Sequence, residues 1–124
     1  MLKFFSEITG WGNDALFFLE VPDANFIILF NESAPPELAD ISVLHTETKL
    51  LMPPEKDDIL IIANKAFTIT AVGEEAIHTL RDLGHCTICF KGEAEPDRPG
   101  CIMAAGDVPL KQSDIRVGAT IEVH

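Results

Sequence analysis

Apolar residues along this chain come in short clusters cut by glycine, proline and acids, and only one stretch keeps a helical spacing. Lys3–Thr9 reads as a first strand. Gly10-Trp11-Gly12-Asn13-Asp14 reads as a turn, with Trp11 as a plug at the end of a barrel. Ala15–Val21 is a further short extended stretch, closed by Pro22-Asp23. Phe26–Phe30 is a continuous apolar run of strand length, suited to a strand buried on both faces or crossing between layers. Asn31–Glu37 is a breaker cluster with room for one helical turn after Pro36. In Ile41-Ser42-Val43-Leu44-His45-Thr46-Glu47, Ile41 and Val43 alternate with Ser42 and Leu44, and the run delivers one histidine to its polar end. Thr46–Asp58 is polar, holds Pro53-Pro54 and reads as a long loop or an irregular hairpin, and loops of this length often carry function on a rigid scaffold. Ile59–Ala63 and Ala66–Val72, joined at Asn64-Lys65, read as a β-hairpin. His85–Phe90, Gly100–Ala105 and Ala119–Val123 supply the remaining strands.

The one helix is Glu74–Leu83. Glu74 and Glu75 sit where the helix dipole favours negative charge, Arg81 lies near the C-terminal end, and Gly84 supplies a residue free to take positive φ. Ala76, Ile77, Leu80 and Leu83 form its apolar face at spacings of three and four. His78 falls off that stripe and reads as solvated surface. Seven to nine short strands, frequent breakers and a single helix predict a mostly β fold, a small barrel or sandwich. The 124 residues fit one domain spanning 1–124.

Composition narrows the function classes. Nine Lys+Arg stand against 20 Asp+Glu, a formal net charge of −11. Such a surface repels nucleic acid and anionic membrane and favours a basic protein partner. No apolar run approaches the ~20 residues that span a bilayer. The N-terminal stretch reaches Glu7 too early for a signal-peptide core, so a cytoplasmic location is expected. Three cysteines, an odd number, make no disulfide framework and agree with a reducing compartment. Cys86-Thr87-Ile88-Cys89 fits the C-x-x-C pattern but lies in a strand-like run, where side chains three apart point to opposite faces. His85 and Cys89 share a face yet stand roughly 13 Å apart. Zinc and dithiol chemistry are therefore not expected, and no cofactor or metal is.

His45 is the chief candidate for chemistry. By residue type alone, an imidazole at the lip of a strand is a nucleophile, a ligand or a hydrogen-bonded packing residue.

Further residues carry a resemblance. Thr70-Ala71-Val72-Gly73, Leu80-Arg81-Asp82-Leu83-Gly84-His85-Cys86-Thr87, Phe90-Lys91-Gly92 and Pro99-Gly100 through Ala105-Gly106, preceded by Ala34-Pro35-Pro36-Glu37-Leu38 and the run ending in His45, resemble the glucitol/sorbitol-specific IIA component of the phosphoenolpyruvate-dependent phosphotransferase system. Ile8 and Gly12 fit the opening pattern. Order and spacing, more than any single motif, carry the likeness over nearly the whole chain.

The resemblance implies a closed β-barrel that accepts a phosphoryl group on His45 from the phosphorylated carrier HPr and passes it to a cysteine of the IIB component of a permease. Two accessory histidines of the family are replaced here by Glu47 and Met103. His85 is retained, as a supporting donor to phosphoryl oxygens or as a brace for the helix-to-strand turn. Phosphoryl transfer needs in-line placement and charge stabilisation more than covalent help, and a neutral imidazole needs no separate base. The second ring nitrogen is expected to donate to Thr46, Glu47 or Thr48, and the ring to stand open at a rim where two proteins reach it in turn. The acidic surface would steer a basic face of HPr. The competing expectation is a non-catalytic β-barrel binding or regulatory domain derived from this family.

Overall fold

The computed structural model describes residues 1–124. Its strands are β1 (Phe4–Trp11), β2 (Phe26–Asn31), β3 (Val43–His45), β4 (Ile59–Ile62), β5 (Lys65–Val72), β6 (Cys86–Cys89), β7 (Cys101–Ala105) and β8 (Thr120–Val123). A single-turn helix α1 (Pro36–Ala39) and the longer α2 (Glu74–Leu83) interrupt them. The eight strands close into a barrel in the order β1-β3-β2-β6-β7-β5-β4-β8, as expected of a mostly β chain without free edges. Two neighbouring pairs, β2 with β3 and β6 with β7, are parallel, and the others run antiparallel.

Strand alternation fills the barrel. In β1, Phe4, Ser6 and Ile8 are buried while Phe5 and Glu7 are exposed. Ile27, Leu29, Val43, Leu60, Ile62, Phe67, Ile69, Ile88, Ile102 and Ile121 complete most of the interior. The β4–β5 hairpin forms where expected, with its turn one residue earlier. Ala63 and Asn64 both take positive φ (52° and 71°), the requirement of a two-residue turn that matches strand twist, and Lys65 already pairs with Ile62.

The ends of the barrel are closed by different means. α2 spans the expected residues, packs Ala76 and Leu80 inward, and ends at Gly84 with φ 62°. Gly84 N–H donates to Leu80 O and His85 N–H to Thr79 O, each at 3.1 Å, which satisfies carbonyls left over at the helix end. The buried face is narrower than the spacing suggests, since Leu83 is exposed. The opposite end is closed by Asn13–Ala24, and here two expectations are corrected. Ala15–Val21 is not a strand: Ala15, Phe17, Leu19 and Val21 each donate an N–H to the carbonyl three residues earlier, and Ala15 and Leu19 fall on one side into the core. Trp11 does not plug the end, because β1 carries it to the surface at 43% exposure. Gly12 makes the close approach instead: a Cβ there would lie 2.1 Å from Ala39 O.

The cysteines are buried and unpaired. Cys86 points into the main core, whereas Cys89 joins Ala71, Cys101 and Met103 in a second, smaller cluster, so the C-x-x-C pair does divide between faces. Burial pushes the Cys86 thiol up to about 12. No helix is long and apolar enough to cross a membrane.

Leu19→Ala is expected to lower unfolding free energy by about 2–5 kcal/mol, read by urea denaturation, because it empties the cap of the barrel. Cys86 is expected to stay silent to Ellman's reagent in the folded chain at mildly alkaline pH, with all three thiols reacting after unfolding. Since the folded thiol titrates higher than the unfolded one, the stability tied to its burial is complete below its ordinary range near 9.0 and falls as pH rises toward about 12.

Candidate functional site

The site begins with the parity of β3. Val43 and His45 are two apart on a strand, so both side chains point into the barrel, while Leu44 between them faces outward. β3 lies between β1, where Ile8 pairs with His45, and β2, where Asn31 pairs with His45. The imidazole meets Phe4 edge-on at a centroid distance of 5.8 Å. The expectation of an open ring at a rim is therefore corrected: His45 is 0% exposed. The strand does end there, but inward parity and the corner after α2 enclose the ring.

Both ring nitrogens face carbonyl oxygens. Nε2 lies 2.7 Å from Gly84 O and Nδ1 2.9 Å from Thr46 O. A neutral imidazole owns one N–H, so one contact then sets a lone pair against an oxygen; a ring with both N–H groups donates to both. Gly84 stands where a side chain does not fit, since a Cβ would lie 2.7 Å from His45 Cε1 and 3.1 Å from Asn31 Cβ.

Of the three expected partners for the second nitrogen, Thr46 supplies its backbone carbonyl. Its hydroxyl accepts Glu7 N–H at 3.0 Å. Glu47 turns away: Ser33 Oγ donates to Glu47 Oε1 at 2.7 Å and lies 2.8 Å from Asn31 Oδ1, which also accepts Ser33 N–H at 3.1 Å. This exposed chain sits at the same end of β2 and β3 as the ring.

His85 follows Gly84 directly. Its Nδ1–H donates to Leu29 O at 3.0 Å, and its ring stacks on Phe30 at 4.6 Å. That bond leaves the lone pair of a neutral ring on Nε2, which has no hydrogen bond within the protein. One corner thus provides both a carbonyl to His45 and a half-buried second imidazole. Of the remaining histidines, His78 is exposed on α2 and His124 pairs with Glu122 at 2.8 Å, so neither joins the site. No group of three His, Cys, Asp or Glu side chains is placed to hold a metal ion.

Gly84 O, Asn31 and Ser33 escaped sequence reasoning. The glycine after α2 carried a signal of its own, but it was the signal of a helix end, and nothing local tied it to a strand 39 residues earlier.

Comparison with known proteins gives this geometry its setting. Residues 3–122 match the family model of the PTS system glucitol/sorbitol-specific IIA component. The glucitol/sorbitol-specific EIIA components of Escherichia coli (strain K12) and Shigella flexneri are each 32% identical over 96 residues, covering 77% of this chain and 76% of the relative. A crystal structure of a PTS system IIA component from Enterococcus faecalis V583 shares the fold, with a TM-score of 0.71, 24% identity, and coverage of 95% of this chain and 97% of that one. The chain therefore belongs to the glucitol/sorbitol-specific IIA components of the phosphotransferase system, a phosphoryl-carrier family.

Proposed function

We propose that this chain is a cytoplasmic relay that accepts a phosphoryl group on His45 from phosphorylated HPr and passes it to a IIB component during uptake of a glucitol-type sugar. The observation that carries the proposal is the family match from residue 3 to residue 122. In the transfer, a ring nitrogen of His45 attacks phosphorus as the bond from phosphorus to the donor histidine breaks. A new nitrogen–phosphorus bond forms, and the other ring nitrogen keeps its proton toward a carbonyl. The second transfer reverses this toward a cysteine thiolate.

The buried ring sets a condition on this chemistry. Attack needs about 3–3.5 Å between nitrogen and phosphorus with in-line geometry, and here each nitrogen is held by a carbonyl. The Gly84–His85 corner must therefore swing away for the phosphoryl group to arrive. A glycine at φ 62° can change its dihedrals without a Cβ penalty, which suits that motion. Once open, the corner brings His85 beside the incoming group, and a ring that also carries a proton on Nε2, while Nδ1–H holds Leu29 O, donates to its oxygens.

The 0% exposure of His45 also favours the competing reading of a non-catalytic barrel in which the ring only closes the wall. Incubation with Enzyme I, HPr and phosphoenolpyruvate separates the two. Acid-labile, alkali-stable label is expected on the peptide containing His45 in the unaltered chain, and His45→Gln is expected to remove it while circular dichroism shows the barrel retained. No label on the unaltered chain supports the non-catalytic reading, and label on the His85 peptide moves the acceptor to that ring.

Gly84→Ala is expected to cost at least about 1–2 kcal/mol through the left-handed backbone alone, with a further loss from contact against the His45 ring, read as a lowered midpoint of thermal unfolding.

A further inference from the structure

We infer that the face lined by Trp11, Phe17, Phe18, Phe26, Ile28 and Ile41 is a docking surface for a basic, amphipathic helical segment of a protein partner. Two depressions of about 400 Å³ and 420 Å³ meet there and share Phe17. Phe17 is 66% exposed, and Trp11 and Phe18 43% each. Scattered apolar residues are ordinary on a surface, but a contiguous aromatic group at this exposure marks an interaction site. The platform is already ordered: Phe17 meets Phe18 edge-on at 4.9 Å, and Phe18 stacks on Phe26 at 5.1 Å. A partner settling on it therefore orders few further side chains, and aromatic anchors of this kind dominate binding energy.

Charge selects the occupant. Between Phe4 and Thr48 the chain has no Lys or Arg, against eight Asp and Glu. Asp14 lines the face, Asp40 adjoins Ile41, and Asp23 lies beyond Phe26. None of the three carboxylates belongs to an ion pair. Cations approach only at the margins: Lys111 is committed to Glu20 at 3.8 Å, while Lys91, paired with Asp97 at 3.1 Å, and Arg98 line the next groove past Phe26. A second copy of this chain would bring like charges against these acids, and a polyanion or anionic membrane is repelled. A helix with apolar residues on one face and Lys or Arg beside them meets both the aromatics and the unpaired carboxylates. About two to three turns of helix present enough side chains for the two depressions.

The surface belongs to the barrel end where β1 stops and β2 and β3 begin, whereas His45 and Asn31 end their strands at the other. Along β2, Phe26 and Asn31 are separated by roughly 16 Å. A partner seated here leaves the Gly84 corner free, so this inference does not rest on the phosphoryl reading.

The test titrates the full isotope-labelled chain with a synthetic leucine/lysine helix of about 18 residues and, in parallel, with its leucine/glutamate counterpart. The lysine peptide is expected to shift the Trp11 indole and the amides of Phe17, Phe18 and Ile41. Phe17→Ser is expected to weaken binding about tenfold. Asp14→Asn combined with Asp40→Asn is expected to weaken it and flatten its salt dependence. An equal response to both peptides overturns the inference, as do shifts centred elsewhere. So does a concentration-dependent dimer in sedimentation that Phe17→Ser dissolves, which would make a second copy the occupant.

Discussion

The contact between Gly84 O and His45 Nε2 is the constraint on which this molecule turns. An imidazole beside Phe4 and Val43 has left water entirely, and a buried polar group without a partner costs about 1–3 kcal/mol. The partner comes from the end of α2, whose last turn leaves carbonyls to be satisfied and whose cap must be glycine for two separate reasons, its dihedrals and the ring pressed against it. The same contact locks a helix end to the barrel wall and engages one of the two nitrogens of the ring on which the proposed relay depends. Structure and the proposed reactivity are thereby set against each other on one ring, whose other nitrogen faces Thr46 O.

Much of the fold was legible because local signals agreed with it. The acids, apolar stripe and terminal glycine of α2 all point to one helix, and Asn64 beside a polar residue between two apolar runs marks the hairpin. Strand parity also assigned Cys86 and Cys89 to different faces. The errors have a common physical origin. Ala15 and Leu19 are four apart, a spacing that puts them on one face of a strand or of a coiled segment alike, and the apolar Leu16, Phe17 and Phe18 around them read as strand although Phe17 and Phe18 are exposed. Trp11 looked like core because large aromatics usually are, yet β1 extended two residues past the expected boundary and turned it outward.

The error at His45 is the instructive one. Reading it as a rim residue weighed the polar residues that follow, Thr46 and Glu47, above the parity shared with Val43. Parity decided the orientation, and the polar neighbours reported only where the strand ends. What covers the ring was beyond local reach, since Gly84 comes from a distant turn. The candidate site was thus legible as a residue and illegible as an environment. Its acids were legible as a net charge but not as an arrangement, for only the folded chain sets Asp14 and Asp40 beside the aromatic face.

The pairing of β1 with β8 has a bearing on how the chain acquires its shape. Phe4 pairs with Val123, and β8 also bridges to β4 through Leu60 and Ile61. A chain that folds as it is made therefore carries an unclosed wall, with the edges of β1 and β4 unsatisfied, until β8 is available to pair. Closure joins β1 to β8, so it is a late step governed by long-range loop entropy. Until then the open edges are the natural substrate for a chaperone.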